Sequence, residues 1–346
     1  NGGRGMTNAA EGIKPLLDKV ASGATLKEFE AENAFDIIMS GDATPSQIGA
    51  FLMALRVRGE TVDEITAAAR IMRNKAKSIS APSDAIDIVG TGGDGGGTLN
   101  ISTGAAIVTA GCGIPIAKHG NRALSSRAGA ADVLGALGVN IDCEMEQIEK
   151  SIRKANIGFM MAPRHHSATR HVAGPRVELA TRTIFNILGP LSNPAGVNRL
   201  LVGVFAREWV EPMAKVLGKL GADRAWVVHG SDGLDELTTT GPSYVAALEK
   251  GKVTNFIVSP SDAGIPNARP EDLKGGDAKE NAKAMMAMLD GEKSPFRDVV
   301  TYTAGAGLIV ANKAKNLEEG VQIAANAIDN GKAKMALEKL IKITNK

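Results

Sequence analysis

The chain has 346 residues, more than one domain at about 150 residues each, and its 44% hydrophobic content can fill complete cores without disulfides or structural metal. Forty Lys and Arg against 38 Asp and Glu leave a formal charge of +2, which excludes a broad electrostatic field for nucleic acid or an anionic membrane, so any anion site must be built locally. The two cysteines, Cys112 and Cys143, lack zinc-ligand spacing and read as buried thiols of a reduced, cytoplasmic protein, while 40 glycines exceed the usual share of about 7%.

Residues 1–5 read as an addition ahead of a native Met6, without the apolar stretch of a signal peptide. The next 70 or so residues predict four short amphipathic helices. Ile13, Leu16, Leu17 and Val20 keep helical spacing up to Gly23, and Thr25 with Glu28 predicts a capping box ahead of Phe29 and Phe35. Thr44, Pro45 and Gln47 open a third helix that stops at Gly59, and Thr61 with Glu64 opens a fourth. Residues 76–84 read as a linker. Short apolar runs then appear at 86–89, 114–117, 139–141, 200–205 and 224–228, alternating with helical stretches at 130–137, 144–154 and 210–220. That alternation argues for a parallel sheet covered on both faces. A hairpin around Gly251 and helices from Ala278 onward complete the chain. Residues 95–117 are uncharged over a spanning length, but their glycines, Pro115 and Asn100 argue against a bilayer segment. The expected fold is α/β: a small helical domain at 6–76 and a larger α/β domain at 85–346 with a mainly parallel central sheet.

Three clusters carry chemistry. In Gly90-Thr91-Gly92-Gly93-Asp94-Gly95-Gly96-Gly97, between the first strand and a helix starting near Asn100, backbone N–H groups can approach a ligand closely and the helix N-terminus adds positive potential. This suits a phosphate or diphosphate. A dinucleotide fold would need an acid about 20 residues on, yet none occurs between Asp94 and Asp132, and a Walker loop would need Gly-Lys-Ser/Thr. Lys118-His119-Gly120-Asn121-Arg122, with Ser125, Ser126 and Arg127, is expected to follow the second strand and to add charge-assisted donors at the same sheet edge. His119 receives no acid–base role. Asp235-Glu236, after the strand 224–228, suits Mg²⁺; Asp232 is less compelling, and His165, His166 and His171 lack a completing zinc ligand. Arg176 could clamp a carboxylate or form a surface salt bridge.

These motifs together resemble the anthranilate phosphoribosyltransferase family, of the nucleoside phosphorylase/phosphoribosyltransferase class. The resemblance runs from about Ile13 into the C-terminal helices and rests on Gly-Thr-Gly-Gly-Asp at 90–94, Asn-Ile-Ser-Thr at 100–103, Lys-His-Gly-Asn-Arg at 118–122, Arg-Thr-Ile-Phe-Asn-Ile-Leu-Gly-Pro-Leu at 182–191 and Gly-Leu-Asp-Glu at 233–236. It implies transfer of a phosphoribosyl group to anthranilate in tryptophan biosynthesis. It also implies that Gly90, Gly93, Asp94, Thr98, Asn100, Ile101, Ser102, Thr103, Lys118, His119, Gly120, Asn121, Arg122, Ala123, Leu124, Ser125, Ser126 and Ala130 surround phosphoribosyl diphosphate. Gly90, Asn121 and Arg176 would face anthranilate, with Arg176 near its carboxylate. Of two Mg²⁺ ions per subunit, Ser102 would contact one, and Asp235 with Glu236 would hold the other. The family further implies a homodimer through the helical domain, a segment near 170–190 returning to that domain, an active site in the cleft between domains, and no nucleic-acid or membrane partner. No general base is assigned, because an arylamine is already neutral at pH 7. The chain departs from the family at Leu99, where an aromatic is common; Ala130, where serine is common; Ala180, where glycine is common; and Ser167-Ala168-Thr169. A pyrimidine-nucleoside phosphorylase of similar architecture and a non-catalytic nucleic-acid-binding relative are the rival readings, the latter disfavoured by the +2 balance.

Overall fold

The computed structural model describes residues 12–123 and 127–346; the expectations for residues 1–5 and for the first residues of the helical domain lie outside them. In chain order the elements are α1 (Lys14–Ala21), α2 (Glu28–Ser40), α3 (Pro45–Arg58), α4 (Val62–Asn74), β1 (Ile86–Gly90), α5 (Ile101–Gly111), β2 (Ile116–Gly120), α6 (Ala130–Ala136), α7 (Met145–Ala155) and β3 (Ile157–Met161). They continue with α8 (Ala162–His165), α9 (Arg170–Leu179), α10 (Phe185–Leu188), β4 (Arg199–Gly203), α11 (Val210–Lys219), β5 (Arg224–Gly230), β6 (Ser243–Glu249), β7 (Lys252–Val258), α12 (Ala278–Leu289), α13 (Pro295–Val310), α14 (Leu317–Asp329) and α15 (Lys332–Thr344). Two compact units result. One holds the described residues up to Ala76 together with His166–Ser192, the other Lys77–His165 and Asn193–Lys346.

In the helical unit, α3 and α4 begin at Thr44 and Thr61, whose hydroxyls accept from Gln47 N and Glu64 N. The box at Thr25 does not form. Helix α2 starts at Glu28 behind Lys27, whose N–H donates to the Glu30 carboxylate at 2.8 Å, one box further along the chain. Glu64 is fully buried yet satisfied: it accepts from Leu26 N and Thr61 N at 2.9 Å each and pairs with Arg58. Phe35 anchors the core, edge-on to Phe51 at 5.6 Å and to Phe185 at 6.2 Å. The later segment is fastened by Arg56 to Thr181 and the Arg182 carbonyl, and by Arg73 Nε to Leu191 O at 2.6 Å.

The second unit is built on one seven-stranded sheet of order β3-β2-β1-β4-β5-β6-β7, in which the first five strands in sequence are parallel and the β6–β7 hairpin is antiparallel. β1, β2 and β3 are buried almost throughout, as parallel strands covered by helices must be. Helix α13 is buried along most of its length and packs on α5 and α14. Residues 139–141 are not a strand: Gly138 turns left-handed (φ +98°) after α6, Val139 N returns to Leu134 O, and Asn140 starts a turn, so the apolar run is buried without pairing. The third strand is instead β3, after the left-handed Asn156 that ends α7. Cys143 is buried, but Cys112 is only half-buried; both are free thiols. No helix among the described residues is long and apolar enough to cross a membrane.

Ala180 ends α9 in the left-handed region, φ +49° and ψ +30°, with its N–H on Arg176 O. A glycine fits that C-terminal position without Cβ strain. Ala180→Gly is expected to raise stability by about 0.5–1 kcal/mol, read as a higher unfolding midpoint; a lower midpoint would contradict the strain.

Candidate active site

The sheet order reverses between β1 and β4: the chain adds β2 and β3 on one side of β1, then returns to build β4 and β5 on the other. Such a switch point opens a crevice at the carboxyl ends of the strands. There β1 ends at Gly90 and β4 at Gly203, paired in register.

The glycine loop leaves β1 at this point. Gly92, Gly93, Gly95 and Gly97 all have positive φ, which turns the backbone sharply enough to present N–H groups to an anion. The loop is tied at its start by Thr91 N on Gly203 O at 2.9 Å and at its end by Gly275 N on Gly97 O at 2.9 Å. Thr98 bridges Lys274. Asn100, ahead of α5, donates to Ala128 O at 3.1 Å and accepts from Asn281 at 2.9 Å, while Ile101 and Thr103 face the core.

Asp235 and Glu236, in the turn after β5, meet this loop. Asp235 Oδ2 accepts from Gly92 N at 2.7 Å, Asp235 N donates to Asp94 Oδ2 at 3.4 Å, and Glu236 Oε1 accepts from Ser102 N at 3.2 Å in the first turn of α5. The approach is possible only because the strand ends lack side chains: a Cβ on Gly203 would overlap the Asp235 carbonyl, and one on Gly90 its carboxylate. Burial, then the neighbouring Asp94, holds the Asp235 carboxyl up to about 7; burial and Asp235 push Glu236 well above the usual carboxylate range.

Lys118 and His119 were expected in a loop after the second strand. They lie inside β2 instead, 2% exposed each, because β2 extends to Gly120. Lys118 Nζ therefore points into the protein, donating to Ile88 O at 2.6 Å and Ser102 Oγ at 3.5 Å. Burial pulls the Lys118 pKa down, and Asp87, then Glu236 and Asp235, oppose that pull. Asp87, fully buried in β1, accepts from His119 N at 3.3 Å and from Asn193 Nδ2 at 2.7 Å, and the same amide donates to Ala117 O at 2.9 Å.

Beyond β2, Gly120 abuts Phe159 and Ala130, and the exposed Asn121 accepts from Arg122 N at 2.8 Å. Arg122 pairs with Asp132, which also accepts from Ala123 N and Gly129 N at 2.9 Å. Part of the loop's expected positive charge is thus neutralised internally. Leu124, Ser125 and Ser126 lie outside the described residues. Arg176 belongs to the helical unit, where its guanidinium lies 5.7 Å from the Phe185 ring centroid and burial lowers its pKa. Among the described residues no carboxylate pairs with it. His165 Nδ1 bonds the Lys77 carbonyl at 2.7 Å, and the His171 ring packs under Gly41.

The model for the a/b domain of the glycosyl transferase family matches residues 82–334, and the model for its helical bundle domain matches 14–76. The anthranilate phosphoribosyltransferase of Rhodospirillum rubrum is 62% identical over 334 residues, covering 96% of each chain, and that of Paramagnetospirillum magneticum is 60% identical over the same span. The chain belongs to the anthranilate phosphoribosyltransferase family. Among solved members of that family, the Thermus thermophilus protein superposes with a TM-score of 0.91 at 43% identity over 95% of this chain and 99% of its own. The Saccharomyces cerevisiae protein in complex with PRPP and Mg gives 0.88 at 29% identity over 98% and 99%.

Within this family frame, sequence reasoning missed Asp87, Asn193 and Gly203. The signal for Asp87 was available: a lone acid inside the apolar run Ile86-Asp87-Ile88 is rarely tolerated without a buried partner.

Two outcomes follow from the geometry. Gly203→Ala should displace Asp235 and lower turnover by about tenfold or more with the fold retained by circular dichroism; unimpaired turnover would show that the turn does not need this close approach. Burial pushes the Asp87 carboxyl up to about 6 from its ordinary 3.8. Between those values the folded chain keeps a proton that the unfolded chain has lost, so this contribution to stability is complete at low pH and disappears as pH rises through 6. Relative to Asp87→Asn, the unaltered protein should lose about 1–3 kcal/mol between pH 4 and 7.5 in urea unfolding, and a constant difference would contradict it.

Proposed function

We infer that the protein transfers the 5-phosphoribosyl group of phosphoribosyl diphosphate to the amino group of anthranilate, giving N-(5-phosphoribosyl)anthranilate and diphosphate, in tryptophan biosynthesis. The observation that carries this reading is the meeting of the glycine loop and the Asp235–Glu236 turn at the sheet's switch point, in a chain 62% identical to a curated member of the family.

The donor set fits Mg²⁺. Asp235, Glu236 and Asp94 bring carboxylate oxygens together; burial first, and then a neighbouring carboxylate, raises the pKa of Asp235 and of Glu236, a cost that a hard divalent cation would relieve. We assign Asp235 and Glu236 to one Mg²⁺ and the Ser102 hydroxyl to a second. Bound Mg²⁺ would neutralise the charge that builds on the departing diphosphate.

The chain's own groups do the rest. The positive-φ glycine loop and the N-terminal end of α5 stabilise the diphosphate as the anomeric bond breaks. Thr98, Asn100, Ser102, Gly120, Asn121, Arg122 and Ala130 are assigned to the donor, and the interior Lys118 donates to Ser102 Oγ from beneath. We assign the half-buried Arg176 to the anthranilate carboxylate, and Asn121 and Gly90 to anthranilate as well. The amine attacks as the neutral base, so no side chain must first remove its proton.

We take the sheet-bearing unit as the donor-binding domain and the helical unit as the homodimer surface, where Val57 and Val177 are exposed apolar side chains on the adjoining helices α3 and α9. Loss of anthranilate fluorescence on adding phosphoribosyl diphosphate and Mg²⁺ tests the activity directly; a stable signal would refute it. Arg176→Ala should raise the KM for anthranilate about 10- to 100-fold with little change for the donor, the loss of a charged contact worth about 1.5–3 kcal/mol. An equal rise for both substrates would remove Arg176 from the anthranilate site.

A further inference from the structure

Between Gly230 and Ser243 the chain forms a closed turn that carries Asp235 and Glu236. Its neck is shut by Ser231 N on Pro242 O and Gly230 N on Leu234 O, both at 2.9 Å. Its two flanks are tied to a single carboxylate. Asp232 Oδ1 accepts from Leu234 N at 3.2 Å, and Asp232 Oδ2 accepts from Thr238 Oγ1 at 2.6 Å and Thr240 Oγ1 at 2.7 Å. Thr238 Oγ1 also accepts from Thr240 N at 3.1 Å, and Thr238 N donates to Ser243 Oγ at 3.0 Å. The pair Asp235–Glu236 thus sits between Leu234 and Thr238, each bonded to Asp232.

The need for such a clamp follows from charge. Two adjacent carboxyls, both disfavoured as ions by burial and then by a carboxylate neighbour, Asp94 for Asp235 and Asp235 for Glu236, tend to swing toward water unless the backbone on both sides is fixed. Three hydrogen bonds to one carboxylate, two of them short, fix both sides at once. We propose that Asp232 is a positioning residue for phosphoribosyl transfer, holding the Asp235–Glu236 turn in register with Gly92 and Ser102 without touching ion or substrate. The proposal rests on the reading of Asp235 and Glu236 as Mg²⁺ ligands.

Asparagine at this position separates clamp from charge. Its carbonyl still accepts from Leu234 N, and its amide can donate to the two threonine hydroxyls, which are acceptors as well as donors. The experiment is calorimetric titration of Mg²⁺ with phosphoribosyl diphosphate into protein without anthranilate, so that no turnover occurs, with thermal unfolding in EDTA as the measure of folding. Asp232→Ala should raise the half-saturating Mg²⁺ concentration about tenfold or more, Asp232→Asn should stay within about threefold of the unaltered protein, and the Thr238→Val/Thr240→Val double variant should behave like the alanine variant. If Asp232→Ala does not fold, Thr240→Val, which deletes one bond from the partly exposed side, carries the expectation at about threefold. An unchanged titration for the clamp variants beside an impaired Asp235→Asn/Glu236→Gln protein would overturn this proposal alone. So would an asparagine variant as weak as the alanine variant, which would make Asp232 a ligand through its charge. An unchanged Asp235→Asn/Glu236→Gln titration would overturn the ligand reading and this proposal with it.

Discussion

The site depends on two missing side chains. Gly90 and Gly203 end neighbouring parallel strands, and over them the backbone and carboxylate of Asp235 lie closer than any Cβ would allow. From that contact come the Gly92–Asp235 hydrogen bond, the proximity of Asp94, and the placement of Glu236 on the first turn of α5. The topology supplies the location, since the reversal of strand order between β1 and β4 leaves the crevice there; the glycines make it deep enough for an acidic turn to enter.

Entering brings a charge problem. Asp94, Asp235 and Glu236 gather on one side of β1, and Asp87 is buried within it. One ammonium, Lys118, stands among Asp87, Asp235 and Glu236 from inside the sheet. A near-neutral surface charge is therefore compatible with an anion site, because the electrostatics are settled internally and locally.

The helical capping signals at Thr44 and Thr61, the glycine loop and the alternation of strands and helices were legible because each is written in contiguous residues. The box at Thr25 misled because Lys27 and Glu30 offer a competing start that only the packed helix selects. Lys118 and His119 looked like loop residues because polar side chains seldom continue a buried strand; the groups they bond, Ile88 O and Ser102 Oγ for Lys118 and Asp87 for the His119 N–H, lie far away in sequence and become visible only when β1 and β2 pair. Gly203 carried no signal at all, since nothing in its own neighbourhood says that a turn from another strand will rest on it. The departure at Ala180 was legible as an identity, but its left-handed backbone was not.

The helical unit is not finished when its first four helices are. Phe185 and Leu191, which complete the surroundings of Phe35 and Arg73, come from a segment separated from Ala76 by roughly 90 residues that form strands β1 to β3 and the helices between them. Closing so long a loop costs on the order of 4 kcal/mol in chain entropy. A ribosome-bound chain must therefore keep α1 to α4 waiting, with the edge of Phe35 uncovered, until the beginning of the sheet has already been made. The order of synthesis thus ties maturation of the smaller unit to that of the larger one, and a fragment ending at Ala76 would be an incomplete fold rather than an independent domain.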